Sequence, residues 1–567
     1  MLVHRRAGDG DLEQTGRLMS RRRALVALIS GVGAAVMAAC RPEAQSANPS
    51  ASLTAAPAPT NSLTAASTSV SVAATPTAAA VASSVTTQAR NGGTLRTGTV
   101  GDPPSLEGHL FVGNNFETAN LVFDQLTNYD SNSQPQPMLA ESWDVGGDYK
   151  RIKVNLRKGV QWHTGRDFTS DDVKYNVIRA QNPKDGAGQF ANQASWFTSI
   201  DTPDKYTVIL NSEQPRPLVF DFFEYFNMVD RETVEGPNAK TSTVGTGPFA
   251  FVEWVTGDHL TLVKNKNYWQ TGRPYLDGVR VAIASDPQAM VSQFEGQALD
   301  TMRGPPLGDY NRLKSNPEYQ ALVHPNPGTY YLIGFNTLNP PLDNKLVRQA
   351  LNWAFDRQRF VDTATYAAAV PLSLMWLPGS PAYDAAKNST YTFDLDKAKS
   401  LLQSAGVTQL EMDCLYTAST EANIATQIYQ SDLAKLGITL NIRVLESAAW
   451  LDQVNNRKYV GSYWSGASYG QLSPGTTFGG TKAWDPNNNN EGFKSDAYSQ
   501  LVTAAGSETD PANQQQIYAQ LNTLILDESF APIVASSPGI MMTTAKVHGM
   551  GPTSHASFSF TNAWLEG

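Results

Sequence analysis

Hydrophobic and polar residues alternate with a period of two in several short stretches of this chain and recur at helical spacing in longer ones. The pattern predicts a mixed α/β body. Residues 92–98, Gly-Gly-Thr-Leu-Arg-Thr-Gly, read as a strand entered through a glycine turn, and residues 116–126 as a helix with an apolar face. Residues 151–156, Arg-Ile-Lys-Val-Asn-Leu, predict a strand that puts Ile152, Val154 and Leu156 on one side. A helix then opens at Thr169, whose hydroxyl can accept from the Asp172 amide while the Asp172 carboxylate reaches back; Val173, Val177 and Ile178 form its apolar stripe. Asp171 and Asp172 suit the positive end of that helix, so the pair is read as capping rather than as acid–base chemistry.

Downstream, Thr246 between Gly245 and Gly247 and before Pro248 predicts a tight turn, because glycine admits positive φ and proline fixes the exit. Residues 343–357 carry Leu346, Val347, Ala350, Leu351, Ala354 and Phe355 at helical spacing, which predicts one surface helix. A further helix begins at Asp394 and ends at Gly406. Residues 439–444 then alternate as a strand after Gly437, completing a helix–glycine–strand step.

The amino-terminal region follows a different pattern. Arg21, Arg22 and Arg23 precede an uncharged run over 24–39, and Met37-Ala38-Ala39-Cys40 closes it with small residues before a cysteine. Crossing a bilayer as a helix takes about 20 apolar residues, more than this run offers. Residues 1–39 are therefore read as an export signal, with Cys40 as the lipidated first residue of the mature protein. Arg21 and Arg22 resemble a twin-arginine signal, but Ala24 stands where a large apolar residue is preferred, so the general secretory route stays open, as does Met19 as the start. The alternative is an uncleaved membrane helix, which places the remainder outside the cytoplasm all the same. Residues 40–90 are almost entirely Ala, Ser, Thr, Pro and Val without an aromatic residue, a composition that predicts a disordered linker spanning about 40 Å.

The body exceeds the size at which one core stops growing, so at least two lobes are expected. A net charge of −9 without a dense basic run argues against nucleic acid. Cys40 and Cys414 are the two cysteines, so a lipidated Cys40 leaves no intramolecular disulfide, and Cys414 is read as a small buried residue.

Several motifs occur in family order. Gly92-Gly93-Thr94-Leu95, Leu139-Ala140-Glu141-Ser142-Trp143, the run from Leu156 through Trp162-His163, and Phe168-Thr169-Ser170-Asp171-Asp172-Val173 resemble the substrate-binding proteins of peptide- and nickel-type ABC importers (family 5). Gly245-Thr246-Gly247-Pro248-Phe249, Asn265-Lys266-Asn267-Tyr268-Trp269, the run from Val347 to Arg357, the run from Phe393 to Leu402, and Leu433-Ala434-Lys435-Leu436-Gly437-Ile438 continue the series across nearly the whole body.

The resemblance implies an α/β, bilobed, type II periplasmic-binding-protein-like fold with an additional inserted domain. Transferred to this chain, lobe I holds 91–133, 241–330 and 531–567, the inserted domain 134–240 and lobe II 331–530, with crossings near residues 328–337 and 528–534. It further implies a monomeric extracytoplasmic lipoprotein, tethered to the membrane, that passes a small solute to an importer permease. Peptide-binding members pair an aspartate after a Gly-Trp segment with the ligand's amino terminus. Residues 463–471 here offer no carboxylate, and a buried ammonium without a counter-charge is costly. Oligosaccharide binders use aromatic platforms, for which Trp376, Trp450, Tyr463, Trp464 and Tyr469 are the candidates; ordinary core packing is the competing reading for each. Phe111, Asn114 and Asn115 match the loop that the family presents to ligand, although a solvated loop explains them as well. Peptide therefore stays open beside oligosaccharide.

His109, His163, His259, His324 and His548 lack ligand spacing, so neither a metal nor a cofactor is expected. No G-x-S-x-G, H-E-x-x-H or Walker loop supports the alternative of an extracytoplasmic hydrolase, and a sensory lipoprotein on the same scaffold is a further alternative.

Overall fold

A computed structural model describes residues 88–110, 116–182, 190–469, 472–554 and 557–567. The strand Thr94–Val100 buries Leu95 and Thr97 and lies between two parallel partners, Gly278–Ala284 and Thr301–Arg303. Around them forms a seven-stranded sheet in the order Tyr319–Val323, Ile540–Thr544, Thr301–Arg303, Thr94–Val100, Gly278–Ala284, His259–Lys264, Phe249–Val255. A second, five-stranded sheet runs Ile438–Leu445, Leu410–Thr417, Gly461–Ser468, Thr329–Phe335, Ile533–Ser536. Its two faces bury separate cores, because side chains alternate across each strand. Tyr463, Leu332 and Leu415 enter one core, and Trp464, Ile333 and Cys414 the other.

The chain passes between these sheets twice, after Val323 and after Ser536, and not over the expected 328–337 and 528–534, where Thr329–Phe335 and Ile533–Ser536 pair as strands of the second sheet. The two passages are hydrogen-bonded to each other: the His324 amide donates to Gly539 O (2.8 Å) and the Ser537 amide to Thr329 O (2.9 Å). Gly328, at φ +62°, sits on one of them.

An antiparallel four-stranded sheet, Ala140–Asp144, Arg151–Leu156, Thr207–Asn211 and Ser199–Asp204, forms a third unit. Ile152, Val154 and Leu156 share its inner face as the alternation requires. The helix Ser170–Gln181 covers them, with the reciprocal Thr169–Asp172 capping box in place. Val173 and Val177 are buried, whereas Ile178 is 49% exposed; Asn176 is turned inward instead, donating to Val229 O while its own oxygen accepts the Val229 amide (both 2.9 Å).

Two other expectations change. The helix expected over 343–357 is split into Lys345–Trp353 and Arg357–Ala364. Asp356 caps the second through the Arg359 amide, and the Arg357 guanidinium turns inward to donate to Asn352 O, Leu372 O and Ile533 O. The Gly245–Gly247 turn needs glycine for another reason than the one expected, since neither residue has positive φ. A Cβ at Gly245 would lie 2.0 Å from Val122 O, and one at Gly247 2.6 Å from it, so close backbone approach excludes a side chain. Gly406 and Gly437, at φ +71° and +76°, do end their helices in the left-handed region.

Candidate functional site

The helix Val219–Tyr225, Val-Phe-Asp-Phe-Phe-Glu-Tyr, packs Phe222 and Phe223 into the core of the inserted unit. Asp221, on the same helix, is buried at a junction between units. Its carboxylate accepts from the Tyr129 hydroxyl (2.7 Å), the Ser473 amide (3.1 Å), the Ser473 hydroxyl (3.1 Å) and the Thr476 hydroxyl. Ser473 and Thr476 follow the last residue of a second-sheet strand, so one carboxylate ties the inserted unit to the second-sheet lobe. Burial raises its pKa, and the converging donors pull it back.

Beside this junction lies a crevice of about 180 Å³, lined by Phe190, Gln193, Phe222, Tyr225, Leu472 and Thr476 together with Asp221. Its aromatic wall continues inward. Phe226 stacks on Phe222 (4.5 Å) and on the His109 ring (4.6 Å), and Phe190 meets Phe226 edge-on. Arg179 donates to both Glu107 (2.8 Å) and His109 Nδ1 (2.6 Å), so His109 keeps its proton on Nε2, toward Asn227 O (3.0 Å). Burial, then the Arg179 charge, lower the His109 pKa to about 3. That histidine is a neutral packing element.

The sequence-selected aromatics are distributed as follows. The Tyr469 hydroxyl donates to Asn326 Oδ1 (3.0 Å), its ring meets Trp376 edge-on at 5.1 Å, and its phenol acts electrostatically on the crevice residue Tyr225. Trp376 is fully buried and donates from its indole to Asn522 (2.9 Å). Trp450 and Tyr463 meet edge-on at 5.7 Å in the core on one face of the second sheet, and the Tyr463 hydroxyl donates to the buried Glu491. Trp464 is on the opposite face, 5% exposed, stacked on Tyr331 and Phe355. The structure thus brings Trp376 to Tyr469 and Trp450 to Tyr463, and separates Trp464 from both pairs. Phe111, Asn114 and Asn115 lie outside the described residues, as do Cys40, Arg21 and Arg22.

Sequence reasoning missed Asp221, Tyr225 and Thr476. The one available signal was a pair of acids, Asp221 and Glu224, inside a helix rich in aromatic residues, where an unpaired charge would be costly. Glu491, in a run of asparagines, gave no signal. Among the described residues no group of three or more His, Cys, Asp or Glu is placed to hold a metal ion. Cys414 is buried and its thiol is pushed up to about 12 by that burial, with no nucleophilic character. No helix among the described residues is long and apolar enough to cross a membrane.

Two sheet-centred lobes joined by paired crossings, an added domain and a crevice where they meet define a bilobed binding protein of the type II periplasmic class. The sequence profile of the bacterial extracellular solute-binding proteins, family 5 (Middle), matches residues 134–489, and this chain belongs to that family. Over 469 residues it is 25% identical to heme-binding protein A of Haemophilus influenzae, covering 76% of this chain and 84% of that protein. Over 493 residues it is 27% identical to the glutathione-binding protein GsiB of Escherichia coli (80% and 94% covered). Among solved structures, the periplasmic binding protein AgaA of A. tumefaciens R10, in complex with agropinic acid, superposes with a TM-score of 0.71 at 27% identity, over 84% of this chain and 99% of that one. The chain is a substrate-binding protein of the peptide/nickel-type ABC importers and acts outside the cytoplasm.

Proposed function

We propose that this protein closes on a polar, uncharged solute in the crevice between its inserted domain and its second-sheet lobe and delivers it unaltered to an importer permease. The observation that carries the reading is the set of hydrogen bonds that Ser473 and Thr476 donate to Asp221, which join the inserted domain to the second-sheet lobe beside a lined crevice. Residues 324–328 and 537–539 are the hinge, since the strands on either side belong to different sheets. The solute drives closure to the extent that it binds the closed form better than the open one.

Phe190, Phe222 and Tyr225 supply flat apolar surface, Gln193 and Thr476 supply polar contacts, and the lining carboxylate is already held by several donors. That chemistry suits an oligosaccharide. A peptide is the second reading, favoured by the glutathione-binding relative. The protein acts as a monomer held to the membrane by lipid on Cys40.

Calorimetric titration with di- to tetrasaccharides, di- to pentapeptides and glutathione tests the reading. Saturable binding without product formation, weakened by Tyr225→Ala, supports it. Turnover of any bound solute, or affinity indifferent to Tyr225, overturns it. Loss of radiolabelled palmitate in Cys40→Ser checks the anchor separately.

A further inference from the structure

A second cavity, of about 240 Å³, lies entirely within the first-sheet lobe and its junction with the inserted domain. It shares no lining residue with the crevice at Asp221, and Tyr129, whose hydroxyl donates to Asp221, stands on the wall between the two. Three parts of the chain that are distant in sequence build most of it: the segment around residues 120–138, residues 268 and 270, and the carboxyl-terminal hairpin around residues 552–562, with Pro248 from the glycine turn and Glu224 from the inserted domain completing it.

The lining has three chemical properties. It presents side-chain amides from Asn120, Gln125, Asn128, Gln270 and Asn562, of which Gln125 donates to Asn227 and Asn562 accepts from Arg273, and the Asn120 amide nitrogen is buried without a hydrogen-bond partner. It presents aromatic surface from Phe123, Tyr129 and Tyr268. It includes no lysine, arginine or histidine. Of its two carboxyls, Asp124 is consumed by the structure: it accepts from Thr246 (2.9 Å), Tyr268 (3.1 Å) and Trp269 (2.9 Å). Glu224 accepts from the Ser554 hydroxyl, and burial raises its pKa well above the carboxylate range, which keeps it in its neutral form.

A cavity with no basic group rejects phosphates and carboxylates, whose charge would be desolvated without compensation. One whose acids are internally satisfied or neutral has no counter-charge to offer an ammonium. What remains is a donor- and acceptor-rich surface beside ring faces, the combination that reads hydroxyls. The volume corresponds to about eight water molecules at about 30 Å³ each, below the range of drug-sized pockets.

We infer that this cavity is a binding site for a small neutral polyhydroxylated molecule, of monosaccharide size, held independently of the interlobe solute. The ring lies against Phe123 and Tyr268, and its hydroxyls pair with Asn120, Asn128 and Gln270.

The test is calorimetric titration of the full chain with glucose and erythritol, beside glucosamine as the cationic and glucose 6-phosphate as the anionic comparator. Variants Asn128→Leu and Gln270→Leu, both at part-exposed positions, are accepted once their melting temperatures match the parent. The expected result is one saturable site for a neutral probe and at least tenfold weaker binding in either variant, with Tyr225→Ala leaving that site unchanged. Absence of heat from both neutral probes at about 10 mM, where a millimolar site is near saturation, overturns the inference in favour of a cavity that holds water. Preference for glucosamine that is abolished by Glu224→Gln overturns it in favour of a cation site. Loss of sugar binding in Tyr225→Ala but not in Asn128→Leu assigns the sugar to the interlobe crevice and overturns it too.

Discussion

The Asp221 carboxylate of the inserted domain accepts the hydroxyl of Thr476, 255 residues away in the second-sheet lobe. The neighbouring bonds from Ser473 reach the same carboxylate, so these contacts hold the inserted domain against the second-sheet lobe.

Asp221→Ala removes that set of contacts. Hydrogen bonds to charged groups contribute about 1.5–3 kcal/mol each, so loss of even one net contact shifts the closed–open balance at least tenfold. Small-angle scattering is expected to show a larger radius of gyration for the solute-free variant, and titration a weaker apparent affinity. An unchanged scattering profile would remove Asp221 from the closure mechanism.

Glu491 is fully buried with one oxygen against the Tyr463 hydroxyl and the other without a partner. Burial, partly offset by the Tyr463 bond, raises its pKa to about 8 from an ordinary 4.5. The folded protein therefore holds a proton that the unfolded chain releases at lower pH. The stability tied to that proton is complete below about pH 4.5 and is lost as pH rises through 8. The span corresponds to a loss on the order of 5 kcal/mol. Glu491→Gln should be close to the parent at pH 5 and more stable at pH 9; urea unfolding at both pH values measures the difference, and parallel pH profiles would contradict it.

Gly247→Ala forces a Cβ to 2.6 Å from Val122 O. Backbone must move on one side or the other, and the Asp124–Thr246 bond next to it moves too. A destabilisation of about 2–4 kcal/mol is expected, in the range of overpacked and strained sites. Chemical denaturation reads it, and a change under 1 kcal/mol would mean the turn relaxes freely.

Trp464→Ala leaves a cavity among Tyr331, Phe355 and Phe360 and should cost about 3–5 kcal/mol. Its melting temperature should fall by several degrees while solute affinity, measured well below that temperature, stays within a factor of about two. A selective loss of affinity at unchanged stability would instead make Trp464 a ligand platform.

Period and capping were readable where one face of an element is buried and the other wet. The strand Arg151–Leu156 appears at the bounds expected, and the Thr169 capping box closes as its spacing requires. The break at Asp356 was hidden because Leu346 to Phe355 keep helical spacing up to it; what splits the helix is the Arg357 guanidinium finding carbonyls at Leu372 and Ile533, far along the chain. The same holds for the aromatics. Tyr463 and Trp464 are neighbours on one strand, and strand alternation sends them into different cores.

The sequence by itself determined the alternation of strands and helices, the order of family motifs and the class of protein they belong to, because these depend on local spacing that each segment carries alone. Only the tertiary structure decided where the lobes exchange strands and that Asp221 meets Ser473 and Thr476. It also decided that amides from three distant segments enclose a polar cavity. Those contacts join residues separated by a hundred positions or more, and a hydrogen bond or a shared cavity at that separation exists only once packing has brought the partners together.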